Sequence, residues 1–189
     1  MPGERRSTLA TKATVGIDTN VLAYLIQASN GKYDPSLDED MILRAERIAA
    51  YRIFLYSPAL AVGPTVSDEI EKTVDAEERV QLIRFRDVLL VELLELDTRH
   101  VEQRVKSLLR YHRQGRDCRI VAESEVGGLE VLLTFDRELR KHLDGRSELL
   151  RLRYPSEHWV KMSIPCGQIP HWSPARSNPL FDVTWWRWQ

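Results

Sequence analysis

Residues 15–25 read VGIDTNVLAYL, and this stretch gives the main indication of the fold class. It begins as a short apolar run, which is typical of a strand buried on both faces, and it continues with apolar positions at helical spacing. Between the two patterns lies Asp18, followed by Thr19 and Asn20. A carboxylate at this junction is either the N-cap of the helix or the first ligand of a metal site, and both alternatives stay open at this point.

The composition indicates one main domain. The chain has 189 residues, of which 43% are apolar, and this is enough for one well-buried core. The formal net charge of −1 provides no overall attraction to nucleic acid or to anionic membranes. A partner of either kind would therefore have to bind a local patch.

Cysteine usage and hydropathy favour a cytoplasmic protein without a membrane partner. The two cysteines, Cys118 and Cys166, provide neither a disulfide framework nor a four-ligand zinc site by themselves. The N-terminus lacks the apolar stretch of a secretory signal, and no apolar run reaches membrane-spanning length. We therefore expect a reduced, cytoplasmic setting.

The order of the predicted elements indicates a parallel sheet with helices on both faces. After the first strand and helix, apolar spacing predicts further helices over 40–52, 76–95, 98–113, 117–126 and 137–143. Another helix is predicted to begin after Thr65, which would be its N-cap. The end of the 76–95 segment is ambiguous between helix and strand. It predicts further strands in the first part of 53–64, over 131–136 and over 148–154. Such alternation is typical of α/β proteins.

Composition divides the chain into three regions. We expect residues 1–12 to be a flexible N-terminus, 13–160 to be the main domain, and 161–189 to be a Trp- and Pro-rich extension. The segment from Pro155 onward holds five of the nine prolines and all five tryptophans. Because clustered aromatic side chains are costly to leave in water, we expect the extension to dock on the core or on a partner.

Four carboxylates are predicted to meet at one edge of the sheet. Asp18 and Asp136 each close a predicted strand, and open α/β sheets bind ligands at the carboxyl ends of their strands. Glu69 shares the apolar face of its helix, and Asp117 begins the inner face of another. Clustered carboxylates repel one another unless a cation compensates them. Oxygen ligands suit Mg²⁺ or Mn²⁺, and such a site is typical of phosphodiester hydrolysis.

Each acid also has a structural explanation. Asp18 and Asp117 could be N-caps, Asp136 could be a turn residue, and Glu69 could be a surface acid. Their joint arrangement favours the metal site.

Four segments of the chain resemble the PIN-domain nuclease family, which includes the toxins of VapBC-type toxin–antitoxin pairs. In order, they are VGIDTNVLAYLI (15–26), GPTVSDEIEKT (63–73), DCRIVAESEVGGLEVLLTFDREL (117–139) and YPSEHW (154–159). The resemblance covers roughly residues 14–160. It implies a three-layer α/β/α sandwich with a central, mostly parallel sheet.

The resemblance also implies a divalent-metal-dependent endoribonuclease with Mg²⁺ or Mn²⁺ as cofactor. The family's catalytic metal ligands fall on Asp18, Glu69, Asp117 and Asp136, the last as a direct or a water-mediated ligand. The residues that orient ligands or phosphate fall on Asn20 and Thr134. The implied partners are an RNA substrate, a cognate antitoxin and a second copy of the chain. A housekeeping RNA-processing nuclease and a catalytically idle PIN scaffold that binds RNA or protein stay open as alternatives.

Three further features bear on function. The stretch from Arg99 to Arg119 has an excess of basic residues, so it is either a track for the RNA backbone or a solvated helix face. Its candidate RNA-binding residues are Arg110, Arg113 and Arg116. Glu123 is expected to be structural and to pair with Arg119, four positions earlier. The five histidines show no ligand spacing, so none is proposed as a catalyst.

One enzyme class outside the nucleases also begins with a strand that ends in aspartate. Phosphatases of the haloacid dehalogenase type need a second aspartate two residues later as the acid/base. That position is Asn20 here, which favours the nuclease.

Overall fold

The structure is a computed structural model, and it describes residues 14–29, 41–56, 59–93 and 95–162. Strands and helices alternate along these ranges. They are β1 (Val15–Ile17), α1 (Thr19–Ser29), α2 (Met41–Tyr56), β2 (Leu60–Val62), α3 (Pro64–Glu71), α4 (Ala76–Leu89), β3 (Val91–Glu92), α5 (Thr98–Leu108), α6 (Gly115–Val126), β4 (Val131–Leu133), α7 (Arg137–Leu143), β5 (Arg151–Arg153) and α8 (Pro155–Met162). The predicted N-terminal segment 1–12 and nearly all of the extension 161–189 lie outside the described residues.

The strands form one parallel sheet in the order β3-β2-β1-β4-β5. The predicted α/β class with a parallel sheet is therefore confirmed, and the arrangement is consistent with a three-layer α/β/α fold. The chain runs outward from β1 to β2 and β3, then returns to place β4 on the other side of β1. The carboxyl ends of the neighbouring strands β1 and β4 therefore form the topological switch point, where open α/β sheets bind ligands.

Burial explains why the strands at the centre are short and apolar. Every residue of β1, β2 and β4 is buried, as expected for strands covered on both faces. A Cβ on Gly16 would lie 2.6 Å from Leu129 Cδ1, so a glycine lets this part of the core pack closely. The next helix is anchored by Leu22 and Leu25, each fully buried and each contributing about 1.5–3 kcal/mol. This packing fixes the junction that carries Asp18.

Several predicted boundaries are wrong. The pattern predicts that a strand begins at 53–56, but this region completes α2, because Ile53, Phe54 and Leu55 belong to the buried face of that helix. The strand begins only at Leu60. Such an apolar run fits either structure from its sequence alone.

The predicted start of α3 is also wrong. Its N-cap is Gly63 rather than Thr65, and Pro64 takes the first helical position, which suits a residue that lacks an N–H. Farther along the chain, α5 ends at Leu108, five residues before the predicted end, and α6 begins at Gly115, two residues before the predicted start. In the segment 76–95, whose end the sequence leaves ambiguous between helix and strand, α4 ends at Leu89 and β3 follows.

The segment after the last strand continues the domain. Pro155 begins α8, which packs against α2, and Trp159 is partly buried against the core. The described part of the tryptophan-rich region therefore packs on the domain. In the ranges given above, no helix is both long enough and apolar enough to cross a membrane.

Candidate active site at the carboxyl edge of the sheet

Asp18 lies at the switch point and is only 4% exposed. Its N–H extends the β1–β4 ladder by donating to the Leu133 carbonyl (3.1 Å), while Oδ1 accepts the Val21 N–H at 3.0 Å. Asp18 is therefore the N-cap of α1, as one of the two alternatives predicts. Burial raises the pKa of its carboxyl to about 7, opposed by hydrogen bonds from Thr134 and Val21 and assisted by the charge of Asp136.

The end of β4 is tied to the same junction. Thr134 is fully buried, and its hydroxyl bonds the Asp18 carboxylate and accepts the Asp136 N–H at 2.9 Å. The Asn20 side-chain oxygen accepts the Phe135 N–H at 3.2 Å. These contacts hold the loop after β4 against the start of α1. Both residues to which the resemblance assigns an orienting role therefore connect the strand ends that carry Asp18 and Asp136.

Asp136 serves as a helix cap as well. Its Oδ1 accepts the Leu139 N–H at 2.9 Å and so caps α7. Because the charge of Asp136 contributes to the raised pKa of Asp18, the two carboxylates lie within electrostatic range of each other. These are the two acids that the strand pattern alone places at one edge.

Glu69 joins this edge from α3. Its side chain is 15% exposed and shares a helical face with the buried Val66 and Ile70, as predicted. The Thr19 hydroxyl donates to Oε2, and the Arg116 guanidinium pairs with Oε1. Glu69 therefore connects the residue after Asp18 to the first turn of α6.

Asp117 lies in that first turn of α6. The N-cap of the helix is Gln114, so the explanation of Asp117 as an N-cap is wrong. Its Oδ2 lies 2.8 Å from Nε2 of His112, a buried histidine that sequence reasoning does not select. His112 and Asp117 are five positions apart in the sequence, and no motif marks that spacing.

The charge of Asp136 acts on Asp18, and Glu69 connects the residue after Asp18 with the residue before Asp117. Each of the four acids also has a hydrogen-bond or ion-pair partner in the protein. Across the described ranges, no three His, Cys, Asp or Glu side chains are gathered closely enough to hold a metal ion. The donor set itself fits a hard cation, since it offers carboxylate oxygens and includes one buried carboxylate that is costly to ionise. The roles of Asp18, Glu69, Asp117 and Asp136 as metal ligands stay a prediction.

Glu123 has a structural role, but its expected partner is wrong. Arg119 forms its ion pair with Glu102. Glu123 instead accepts the Thr65 N–H at Oε2 (2.9 Å) and the Thr65 hydroxyl at Oε1 (2.7 Å). A Cβ on Gly63 would lie 2.7 Å from Oε2, so this glycine admits the carboxylate. Glu123 thereby caps the helix that carries Glu69.

Some arginines of the basic stretch form ion pairs with described residues, and others do not. Arg104 pairs with Glu125 at 2.7 Å, and Arg116 pairs with Glu69. Arg110 and Arg113 are exposed and form no ion pair with any described residue. Arg104 is therefore held by an ion pair, while Arg110 and Arg113 are accessible to a ligand.

Comparison with known proteins adds no assignment to this geometry. No protein-family model matches the chain, and no curated protein matches it. A function for this site is therefore argued from the residues of the chain itself.

Proposed function

We propose that the protein is a divalent-metal-dependent endoribonuclease with a PIN-like fold, which hydrolyses RNA phosphodiester bonds. One observation carries the proposal: the buried Asp18, whose pKa is raised to about 7, lies at the switch point of a parallel sheet. A carboxylate in this position costs stability when it is ionised, and such cost is typical of functional sites. Three contacts support it further: Asp136 adds to the raised pKa of Asp18, Glu69 accepts a hydrogen bond from Thr19, and Asp117 bonds His112.

The proposed ligands of Mg²⁺ or Mn²⁺ are Asp18, Glu69, Asp117 and Asp136. When bound, the cation lowers the pKa of a water molecule and neutralises charge on the phosphate. Asp117 is suited to this role because Oδ2 bonds His112, while Oδ1 has no hydrogen-bond partner among the described residues. A ligand oxygen is thus available without breaking that contact.

Other residues of the chain orient the acids and the substrate. Thr134 and Asn20 hold the two strand ends together. The side chain of Arg116 is 68% exposed although its guanidinium pairs with Glu69, so it can contact a phosphate from the solvent side. Arginine is suited to this contact because its planar donors match phosphate oxygens.

Cleavage of total RNA tests the proposal. With Mn²⁺, the wild-type protein is expected to cut RNA, whereas EDTA or Asp18→Asn is expected to lower the rate by about 100-fold or more, because a metal ligand is lost. Asp68→Asn is a matched control, since Asp68 is an exposed acid one residue from Glu69. Cleavage that survives both EDTA and Asp18→Asn would overturn the proposal. RNA binding without cleavage would favour the idle scaffold.

The RNA track makes a separate prediction. Replacing Arg110 and Arg113 with glutamine is expected to weaken RNA binding and to reduce its salt slope by up to about 0.7 for each phosphate that is no longer neutralised. Arg84→Gln, which removes an exposed arginine from α4, is the control. Filter binding at several salt concentrations measures both quantities. An affinity and a slope equal to those of the Arg84 variant would exclude these two residues from the interface.

A further inference from the structure

His112 is a buried imidazole with a partner on each ring nitrogen. Its side chain is 5% exposed, Nε2 lies 2.8 Å from Asp117 Oδ2, and Nδ1 lies 3.2 Å from Nδ1 of His142. The backbone carbonyl of His112 also accepts a hydrogen bond from the Cys118 thiol at 3.3 Å. Both the ring and the backbone of His112 are therefore held in place beside Asp117.

The partners determine which nitrogen carries each proton when the rings are neutral. An ionised carboxylate only accepts hydrogen bonds, so Nε2–H of His112 donates to Asp117. Nδ1 of His112 then carries a lone pair, and Nδ1–H of His142 donates to it. The remaining nitrogen of His142 lies 3.7 Å from Glu138, beyond hydrogen-bond distance, and the side chain is 39% exposed. Two hydrogen bonds in series thus connect the partly exposed His142 with His112, and His112 with Asp117, each donated toward Asp117.

We propose that His112 is a positioning residue for Asp117, and that His142 positions His112. This rests on the proposed function: because Oδ2 of Asp117 bonds His112, Oδ1 is the oxygen that would be available to a metal ion. Groups that hydrogen-bond a metal ligand reduce its rotational freedom, and their loss typically weakens metal affinity or activity by about 10–100-fold. His112 itself contacts neither metal nor substrate.

Mn²⁺ affinity, measured by calorimetry, tests the inference. His112→Leu is expected to weaken Mn²⁺ binding by about 10–100-fold, because the carboxylate loses its donor. His112→Gln is expected to recover most of that loss, since its amide N–H reaches the position of Nε2. His142→Leu keeps His112 in place but removes its second partner, so a smaller loss is expected. This substitution also serves if His112→Leu does not fold, because His142 is half-buried.

His158→Leu is the matched control. His158 is also buried, but it lies on α8, and its pKa is lowered by burial and by the nearby Arg153 and Lys161 charges. Its replacement is expected to leave Mn²⁺ affinity unchanged. If the wild type binds Mn²⁺ and His112→Leu binds it equally well, the inference is overturned and the proposed function stands. If the wild type neither binds Mn²⁺ nor cleaves RNA, both are overturned.

Discussion

Replacing Asp18 with asparagine is expected to stabilise the metal-free protein, and the gain should grow as the pH rises. The folded-state pKa of Asp18, about 7, lies above the ordinary value of 3.8, because burial penalises the charged form. The fold favours the protonated form of Asp18. Its contribution to the free energy of unfolding is therefore fully present below the unfolded-state pKa of 3.8 and is lost as the pH rises through the folded-state pKa of about 7. Asparagine does not ionise, so the variant escapes this loss.

The size of the effect follows from the shift. At about 1.36 kcal/mol per pKa unit, the free energy of unfolding of Asp18→Asn relative to wild type should rise by roughly 2–3 kcal/mol between pH 5 and pH 8. Urea denaturation at the two pH values measures it. Asp68→Asn, which alters an exposed acid, should show no such rise. An Asp18→Asn difference that is the same at both pH values would contradict the burial of an ionisable Asp18.

Replacing Glu123 with alanine is expected to lower the free energy of unfolding by about 2–4 kcal/mol. Glu123 is 4% exposed, and both its oxygens accept hydrogen bonds from Thr65, which is 9% exposed. Alanine would leave the Thr65 N–H and hydroxyl buried without a partner, and each such group costs about 1–3 kcal/mol. Because the capped helix carries Glu69, the substitution should also weaken Mn²⁺ binding.

Two variants separate this cap from a general effect of removing a charge. Glu123→Gln keeps an acceptor for the Thr65 N–H, and burial already raises the pKa of Glu123, so a loss below about 1 kcal/mol is expected. Glu102→Ala removes a half-exposed acid that pairs with Arg119, and such pairs contribute about 0–1 kcal/mol. Equal destabilisation by Glu123→Ala and Glu102→Ala would exclude the cap.

The sequence predicts those parts of the site that depend on local pattern. Asp18 and Asp136 are assigned to one edge because each follows an apolar strand, and parallel strands place their carboxyl ends together. The face of Glu69 follows from helical spacing alone. For these residues, a few neighbouring positions contain the relevant information.

Other features depend on contacts between distant segments. The local pattern at Thr65 resembles a capping box and so predicts a cap there, but the acceptor is supplied by Glu123, 58 residues away. The contact between His112 and His142 joins residues 30 apart. Apolar periodicity cannot reveal either pair, since polar side chains meet in the interior only after the helices pack.

The length of α2 shows that local propensity alone does not predict where a helix ends. Residues 53–56 are apolar and include an aromatic pair, which favours a strand on propensity. They continue the helix because Tyr51, Phe54 and neighbouring side chains pack together on its buried face, with ring centroids of Tyr51 and Phe54 6.1 Å apart. Tertiary packing here outweighs intrinsic preference.

Calorimetric titration of the wild-type protein with Mn²⁺, with Asp18→Asn in parallel, tests whether Asp18 is part of a metal site, and it does not require the natural RNA. The metal is expected to bind the wild type and to displace a proton at pH 6.5, because Asp18 is largely protonated below its pKa of about 7. The measured enthalpy should therefore depend on the ionisation enthalpy of the buffer. Asp18→Asn should bind at least 10-fold more weakly, without that dependence. Equal Mn²⁺ affinity in the two proteins, or no binding to the wild type, would contradict a metal site built on Asp18.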